Sequence, residues 1–175
     1  MEVEARSFVS DERFVDIKKM LDADYGFIKE LKEVTVYFTG EKDLRMRKNE
    51  TEASVILKEG KLHDDFRKEF EIGIKLEDFD DMVELFRILG YDIEIEWHRN
   101  RLEYEKGGMK VLLDDTKGYG KILELEKMAE EGSEAAAHAE LEAMMYGFGI
   151  GKPTSKEEFN ARYENYKENW KTLIR

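Results

Sequence analysis

Several short segments of the chain alternate apolar and charged residues, which is the period of a β-strand. Leu44 and Met46, for example, alternate with Arg45 and Arg47. Glycine-containing turn signals separate these segments, so the pattern predicts strands joined by short turns, typical of an antiparallel barrel or a strongly curved sheet. The predicted strands cover residues 2–9, 30–39, 43–48, 52–59, 67–75, 91–105, 108–115 and 119–127.

Four other segments place apolar residues three or four positions apart, which is the period of an α-helix. The predicted helices cover residues 11–22, 77–89, 129–146 and 156–172, so the fold class is α+β with helices on the outside of the strands. The last helix follows Pro153 and carries an aromatic stripe. Packing against the strands is the favoured interpretation of this stripe, and a lid or a homodimer surface is the alternative.

Each predicted strand has one apolar and one ionic face, and this allows two interpretations. If the apolar faces pack inward, the charges are solvated and carry no function, which the pattern alone favours. If helices cover the apolar faces, the charges converge inside the protein. Arg99 and Arg101 share their strand parity with Trp97 and Ile95, so the second interpretation requires a β-bulge near them.

Composition narrows the class of protein. The 175 residues suit one domain, with strands and two helices in 1–127 and further helices in 128–175. There is no cysteine, and no leader or membrane-spanning run is evident, so a cytoplasmic protein is expected. The net charge of −12 argues against extended nucleic acid or an anionic membrane as the partner, because both would be repelled.

The order of the charged motifs is more specific than any single one. The chain begins with Glu2-Val-Glu4-Ala-Arg6, which resembles the E-x-E-x-K signature of the CYTH superfamily, the triphosphate tunnel metalloenzymes, with arginine in place of lysine. The later family elements follow in order over residues 1–127. They are Leu44 to Arg47, Lys58, Arg67 to Glu71, Arg99 and Arg101, Asp114, and Gly118 to Glu126.

The resemblance implies a closed eight-stranded barrel that encloses a charged site for a small triphosphate. Carboxylates would bind Mg²⁺ or Mn²⁺, since these hard cations prefer oxygen ligands, and guanidinium groups would bind phosphate oxygens. The implied metal ligands are Glu2, Glu4, Asp114, Glu124 and Glu126. The implied phosphate-binding residues are Arg6, Arg45, Arg47, Lys58 and Arg101, with Arg67, Glu69, Glu71 and Arg99 orienting them.

The resemblance is compatible with more than one activity. Metal-dependent hydrolysis of inorganic, nucleoside or thiamine triphosphate is preferred, with Glu4, Glu126 and Arg6 as catalytic candidates. Cyclisation of ATP by a class IV adenylate cyclase is the alternative, and a non-catalytic binder of phosphorylated ligands is a third. Cyclases of this class often carry a His-Phe pair before the first strand, and the chain starts directly at Met1-Glu2.

Overall fold

A computed structural model describes residues 2–59 and 68–175, and for side chains it omits Glu2, Glu59, Lys68 and Glu69 as well. The elements in chain order are β1 (Glu2–Val9), α1 (Asp11–Asp24), β2 (Gly26–Phe38), β3 (Asp43–Lys48), β4 (Ala53–Glu59), β5 (Lys68–Ile74), a 3₁₀ helix (Leu76–Asp78), α2 (Phe79–Ile88), β6 (Ile93–Lys106), β7 (Met109–Thr116), β8 (Gly120–Met128), α3 (Glu134–Gly147) and α4 (Lys156–Leu173).

The strands form one antiparallel sheet in the order β1-β8-β7-β6-β2-β3-β4-β5. The α+β class, the eight strands and the four helices therefore agree with the sequence-based prediction. Strands β1 and β5 are at the two ends of this order, and no pairing between them is seen in the described residues. Closure of the sheet into a barrel stays a prediction.

The chain divides into two compact units, and the first consists of residues Met1–Glu30 and Asn100–Asn165. Its core lies between α1, α3 and one face of β1, β8 and β7. Leu123 and Leu125 of β8 are fully buried there, together with Leu21 of α1 and Leu141 of α3. Because side chains alternate along a strand, Glu4, Glu124 and Glu126 of these strands lie on the other face of the sheet.

The second unit consists of residues Leu31–Arg99 and Tyr166–Arg175. Its core joins α2 to one face of β2, β3 and β4, with Val36, Met46 and Phe79 at its centre. Arg45, Arg47 and Tyr37 alternate with these apolar residues and therefore lie on the face away from α2. In both units, helices cover the apolar face, as the second interpretation of the alternating pattern required.

Three predicted elements differ clearly from the structure, and the first two differ at their starts for a physical reason. Strand β2 starts at Gly26 because its first residues pair with β6. These residues are exposed, so they do not alternate between apolar and polar in the way that predicts a strand. Helix α3 starts at Glu134 because Gly132, at φ 88°, forms a turn. The predicted second helix is split into the 3₁₀ turn and α2.

Strand β6 changes its face assignment along its length. Ile93 packs against the α2 core, whereas Arg99 binds Glu33, which lies on the opposite face of β2. These two β6 residues have the same parity, so the alternation is broken between them, as a β-bulge would do. The irregularity explains how Arg99 reaches the charged face.

Among the described residues, none of the helices has the length and apolar character that a membrane span requires.

Candidate functional site

Three carboxylates converge on the charged face of the first unit. Glu4 of β1 lies directly opposite Glu126 of β8, and Arg6 lies opposite Glu124. One oxygen from each of Glu4, Glu124 and Glu126 lies within 4.8 Å of the others. The two E-x-E segments therefore meet because a period of two places both acids of each strand on one face, and the register aligns them.

Two of these three carboxylates are largely buried, and the third, Glu4, is half exposed. The side chains of Glu124 and Glu126 are each only 13% exposed. Burial raises the pKa of Glu124 to about 8, and its hydrogen bond with Glu126 and the charge of Glu4 act in the same direction, while Arg101 opposes them. A freely solvated face does not fit these observations. A divalent cation bound to these oxygens would stabilise the ionised carboxylates further.

Asp114 of β7 lies beside these glutamates but is bound to an arginine. The guanidinium of Arg101 donates to both carboxylate oxygens of Asp114, at 2.8 and 2.7 Å, and is 3.9 Å from Glu124. Asp114 is 3% exposed. The structure thus places Asp114, a predicted metal ligand, in a bidentate ion pair outside the three-carboxylate cluster.

Arg6 has a different environment from the other candidate arginines. Its Nε is 4.0 Å from Glu4, its guanidinium lies 4.6 Å from the centroid of the Phe159 ring, and its side chain is 49% exposed. No hydrogen bond from its guanidinium is found within the described part of the chain. Its donors can therefore take phosphate oxygens without first breaking a hydrogen bond to the protein.

The second unit holds a separate group of charges on its own polar face. Arg45 donates to Asp43 at 2.6 Å and stacks on the ring of Tyr37. Arg47 donates to Glu71 at 2.7 Å. The hydroxyl of Ser54 also donates to Glu71, and this bond, with the nearby Arg47 charge, lowers the pKa of that carboxyl.

The remaining predicted residues fall into three groups. Lys58 lies on β4 opposite Glu69 and shares the polar face of Asp43. Arg99 forms a bidentate pair with Glu33 through its Nε and a terminal nitrogen, at 3.2 and 2.6 Å. Arg67 and the side chains of Glu2 and Glu69 lie outside the description.

Sequence reasoning missed the acidic partners of two arginines and a lysine that lies beside Glu126. Asp43 and Glu33 each hold a predicted arginine, and Lys110 lies opposite Glu126 at 3.4 Å. Strand parity could have found Asp43, because it precedes Arg45 by two residues. The contacts of Glu33 with Arg99 and of Lys110 with Glu126 are set by which strands are neighbours and by their register. A local sequence pattern does not contain this information.

Comparisons with known proteins agree with this architecture. The family model described as CYTH domain matches residues 1–159. A protein of Methanocaldococcus jannaschii named "Putative adenylate cyclase MJ0240" is 28% identical over 142 residues, which cover 77% of this chain and 81% of that protein.

Solved structures show the same fold. The PH1819 protein of Pyrococcus horikoshii aligns with a TM-score of 0.67 at 22% identity, over 93% of this chain and 99% of that one. A Vibrio parahaemolyticus protein described as "a putative adenylate cyclase" aligns with a TM-score of 0.61 at 20% identity, over 91% and 97% of the two chains. At these identities, the likeness concerns the fold alone.

Proposed function

The chain belongs to the CYTH domain family, and from this premise we propose that it hydrolyses a small triphosphate with the help of Mg²⁺ or Mn²⁺. The observation that carries the proposal is the cluster of Glu4, Glu124 and Glu126, whose oxygens lie within 4.8 Å of one another. Three carboxylates at this separation supply the oxygen ligands that these cations prefer. Burial, the hydrogen bond with Glu126 and the charge of Glu4 raise the pKa of Glu124 although Arg101 lies nearby, and a bound divalent cation would favour its ionised form.

The protein side of the proposed chemistry follows from the charged residues of the first unit. A divalent cation, when bound, neutralises phosphate oxygens and makes a water molecule more acidic. Glu4 or Glu126 accepts the proton of the attacking water at a carboxylate oxygen. Arg6 binds phosphate oxygens and stabilises the charge that develops on the transferred group. The assignment of Arg45 and Arg47 to phosphate binding stays a prediction from the family resemblance.

Asp114 and Arg101 have supporting roles in this proposal. Their bidentate pair fixes the Arg101 guanidinium 3.9 Å from Glu124. Asp114 therefore acts on the cluster through Arg101, and the assignment of Asp114 as a direct metal ligand is the weaker part of the predicted ligand set. A closed barrel belongs to the proposal as well, because the family resemblance implies it while the described sheet ends at β1 and β5.

The second candidate function is cyclisation of ATP to cyclic AMP and pyrophosphate. The specific observation in its favour is the name of the Methanocaldococcus relative. Both reactions use a metal and a triphosphate. They differ in the attacking oxygen, which is water in hydrolysis and the ribose 3′-hydroxyl in cyclisation.

The metal assignment is tested with Glu4→Gln, which keeps the side-chain shape and removes a ligand charge. We expect it to abolish metal-dependent turnover of inorganic triphosphate and ATP while the unfolding transition is retained. Glu140→Gln is the matched control, because Glu140 is an exposed acid of α3 that pairs with Lys127 of β8. A Glu4→Gln variant with the turnover of the unchanged protein would exclude the carboxylate cluster as the metal site.

A further inference from the structure

The start of α4 is fixed to the edge strand β1 by a buried polar contact. Thr154, which precedes α4, donates its N–H to the Ser7 hydroxyl at 3.0 Å, and its own hydroxyl accepts from the N–H of Phe8 at 3.0 Å. Ser7 is 1% exposed. The two bonds satisfy backbone and side-chain groups that burial would otherwise leave unpaired, so the first turn of α4 has a defined position on β1.

This position brings an aromatic ring of α4 to the charged face of the first unit. Phe159 packs on Phe8 with ring centroids 4.7 Å apart, and the guanidinium of Arg6 lies 4.6 Å from the Phe159 centroid. Arg6 and Phe8 are two residues apart on β1 and share the face of Glu4. Phe159 is therefore the α4 residue that touches a candidate phosphate-binding side chain.

Arg6 differs from the other candidate arginines because, among the described residues, its guanidinium has a ring contact without a hydrogen bond to a carboxylate, whereas Arg45 both stacks on Tyr37 and donates to Asp43. Arg45, Arg47, Arg99 and Arg101 each donate to a carboxylate, which holds the group but occupies its donors. A ring holds a guanidinium through its face and leaves the N–H groups at the edge free for another acceptor.

We propose that Phe159 is a positioning residue for Arg6, holding its guanidinium beside Glu4 so that its N–H groups meet the phosphate oxygens of the substrate. This rests on the proposed function and assigns α4 a role in it. The proposal also accounts for arginine at the position where the family signature has lysine. A planar guanidinium stacks on a ring, whereas a compact, strongly hydrated ammonium gains less from the same contact.

The test is a double-mutant cycle between positions 6 and 159, read as KM and kcat for inorganic triphosphate with Mg²⁺ or Mn²⁺. Exposed cation–π contacts correspond to a factor of about two to five in affinity, so Phe159→Leu should raise KM by about threefold in the natural chain. In an Arg6→Lys background the same change should alter KM by less than about 1.5-fold. Phe159→Tyr keeps the ring and should restore the natural KM.

The matched control is Phe148→Leu, because Phe148 is an equally buried phenylalanine of the first unit that packs in the core between the sheet and α3. It should show no coupling to position 6. An equal rise of KM from Phe159→Leu in both backgrounds would overturn the proposal, since Phe159 would then act through the fold alone.

A second readout separates this inference from the proposed function. The Arg6 Nε–H resonance in an NMR spectrum should shift when the ring is removed by Phe159→Leu, whether or not substrate is present. An unchanged resonance would overturn the stacking itself, even if the protein hydrolyses triphosphate. If the resonance shifts but the protein neither binds nor cleaves triphosphate, the proposed function is overturned. The positioning role of Phe159 then fails as well, although the stacking is present.

Discussion

Replacing Glu124 by glutamine keeps the shape of a largely buried side chain and removes its charge. The folded-state pKa of Glu124 is raised from 4.5 to about 8, so the metal-free folded protein holds a proton that the unfolded chain releases. The free energy of unfolding of the metal-free protein is therefore expected to fall as the pH rises from 4.5 to about 8. Glutamine does not titrate, so the variant should escape this loss.

The size of the effect follows from the pKa shift. Because one pKa unit corresponds to about 1.4 kcal/mol, the rise from 4.5 to about 8 sets an upper limit of about 5 kcal/mol on the stabilisation by Glu124→Gln at high pH. At about pH 5 the same calculation gives a stabilisation of less than about 1 kcal/mol, because this pH is only slightly above the pKa of Glu124 in the unfolded chain.

Urea unfolding of the natural chain and of Glu124→Gln, with a chelator at about pH 5 and about pH 9, measures the difference in their free energies of unfolding. Saturating Mg²⁺ or Mn²⁺ should reverse its sign, because the natural chain gains a ligand interaction that the variant lacks. Glu140→Gln should show neither effect. The reasoning is refuted if Glu124→Gln destabilises the protein equally at both pH values, with and without metal.

Three further predictions concern the first unit. Tyr104→Phe removes the hydroxyl that donates to Asp22 at 2.7 Å and should lower the free energy of unfolding by about 1 kcal/mol in urea titration; an unchanged value would contradict this. Thr154→Val removes its contacts with Ser7 and Phe8 and should cost about 1–2 kcal/mol, with faster amide exchange at Phe8; unaltered exchange would exclude the anchor. Leu123→Ala empties a fully buried site and should cost about 2–5 kcal/mol by thermal unfolding, whereas a cost below about 1 kcal/mol would argue against the described core.

The fold was predictable to the extent that burial alternates along the chain. The order and approximate limits of the strands followed from residues such as Leu44 and Met46, whose neighbours are charged. The first residues of β2 could not be found this way, because Phe27 and Ile28 are exposed and their strand forms by pairing alone. The break of alternation in β6 was expected near Arg99 and Arg101 from their parity, and the structure places it between Ile93 and Arg99.

The candidate site was predictable in membership more than in pairing. Glu4, Glu124 and Glu126 were predicted together, since each E-x-E segment places its two acids on one face of its strand. When two such strands are neighbours in a sheet, their acids can lie on the same face of the sheet. The partner of each arginine depends on strand register. The bidentate pairing of Arg101 with Asp114, and the stacking of Arg6 on Phe159, thus became visible only in three dimensions.

Product analysis tests the central claim most directly. The protein is incubated with inorganic triphosphate and, in parallel, with ATP, in Mg²⁺ or Mn²⁺ and again with excess chelator. We expect orthophosphate release that stops when the metal is removed, and no cyclic AMP. Metal-dependent formation of cyclic AMP and pyrophosphate from ATP would instead establish the cyclase, and turnover that persists in chelator would contradict a metal site at Glu4, Glu124 and Glu126.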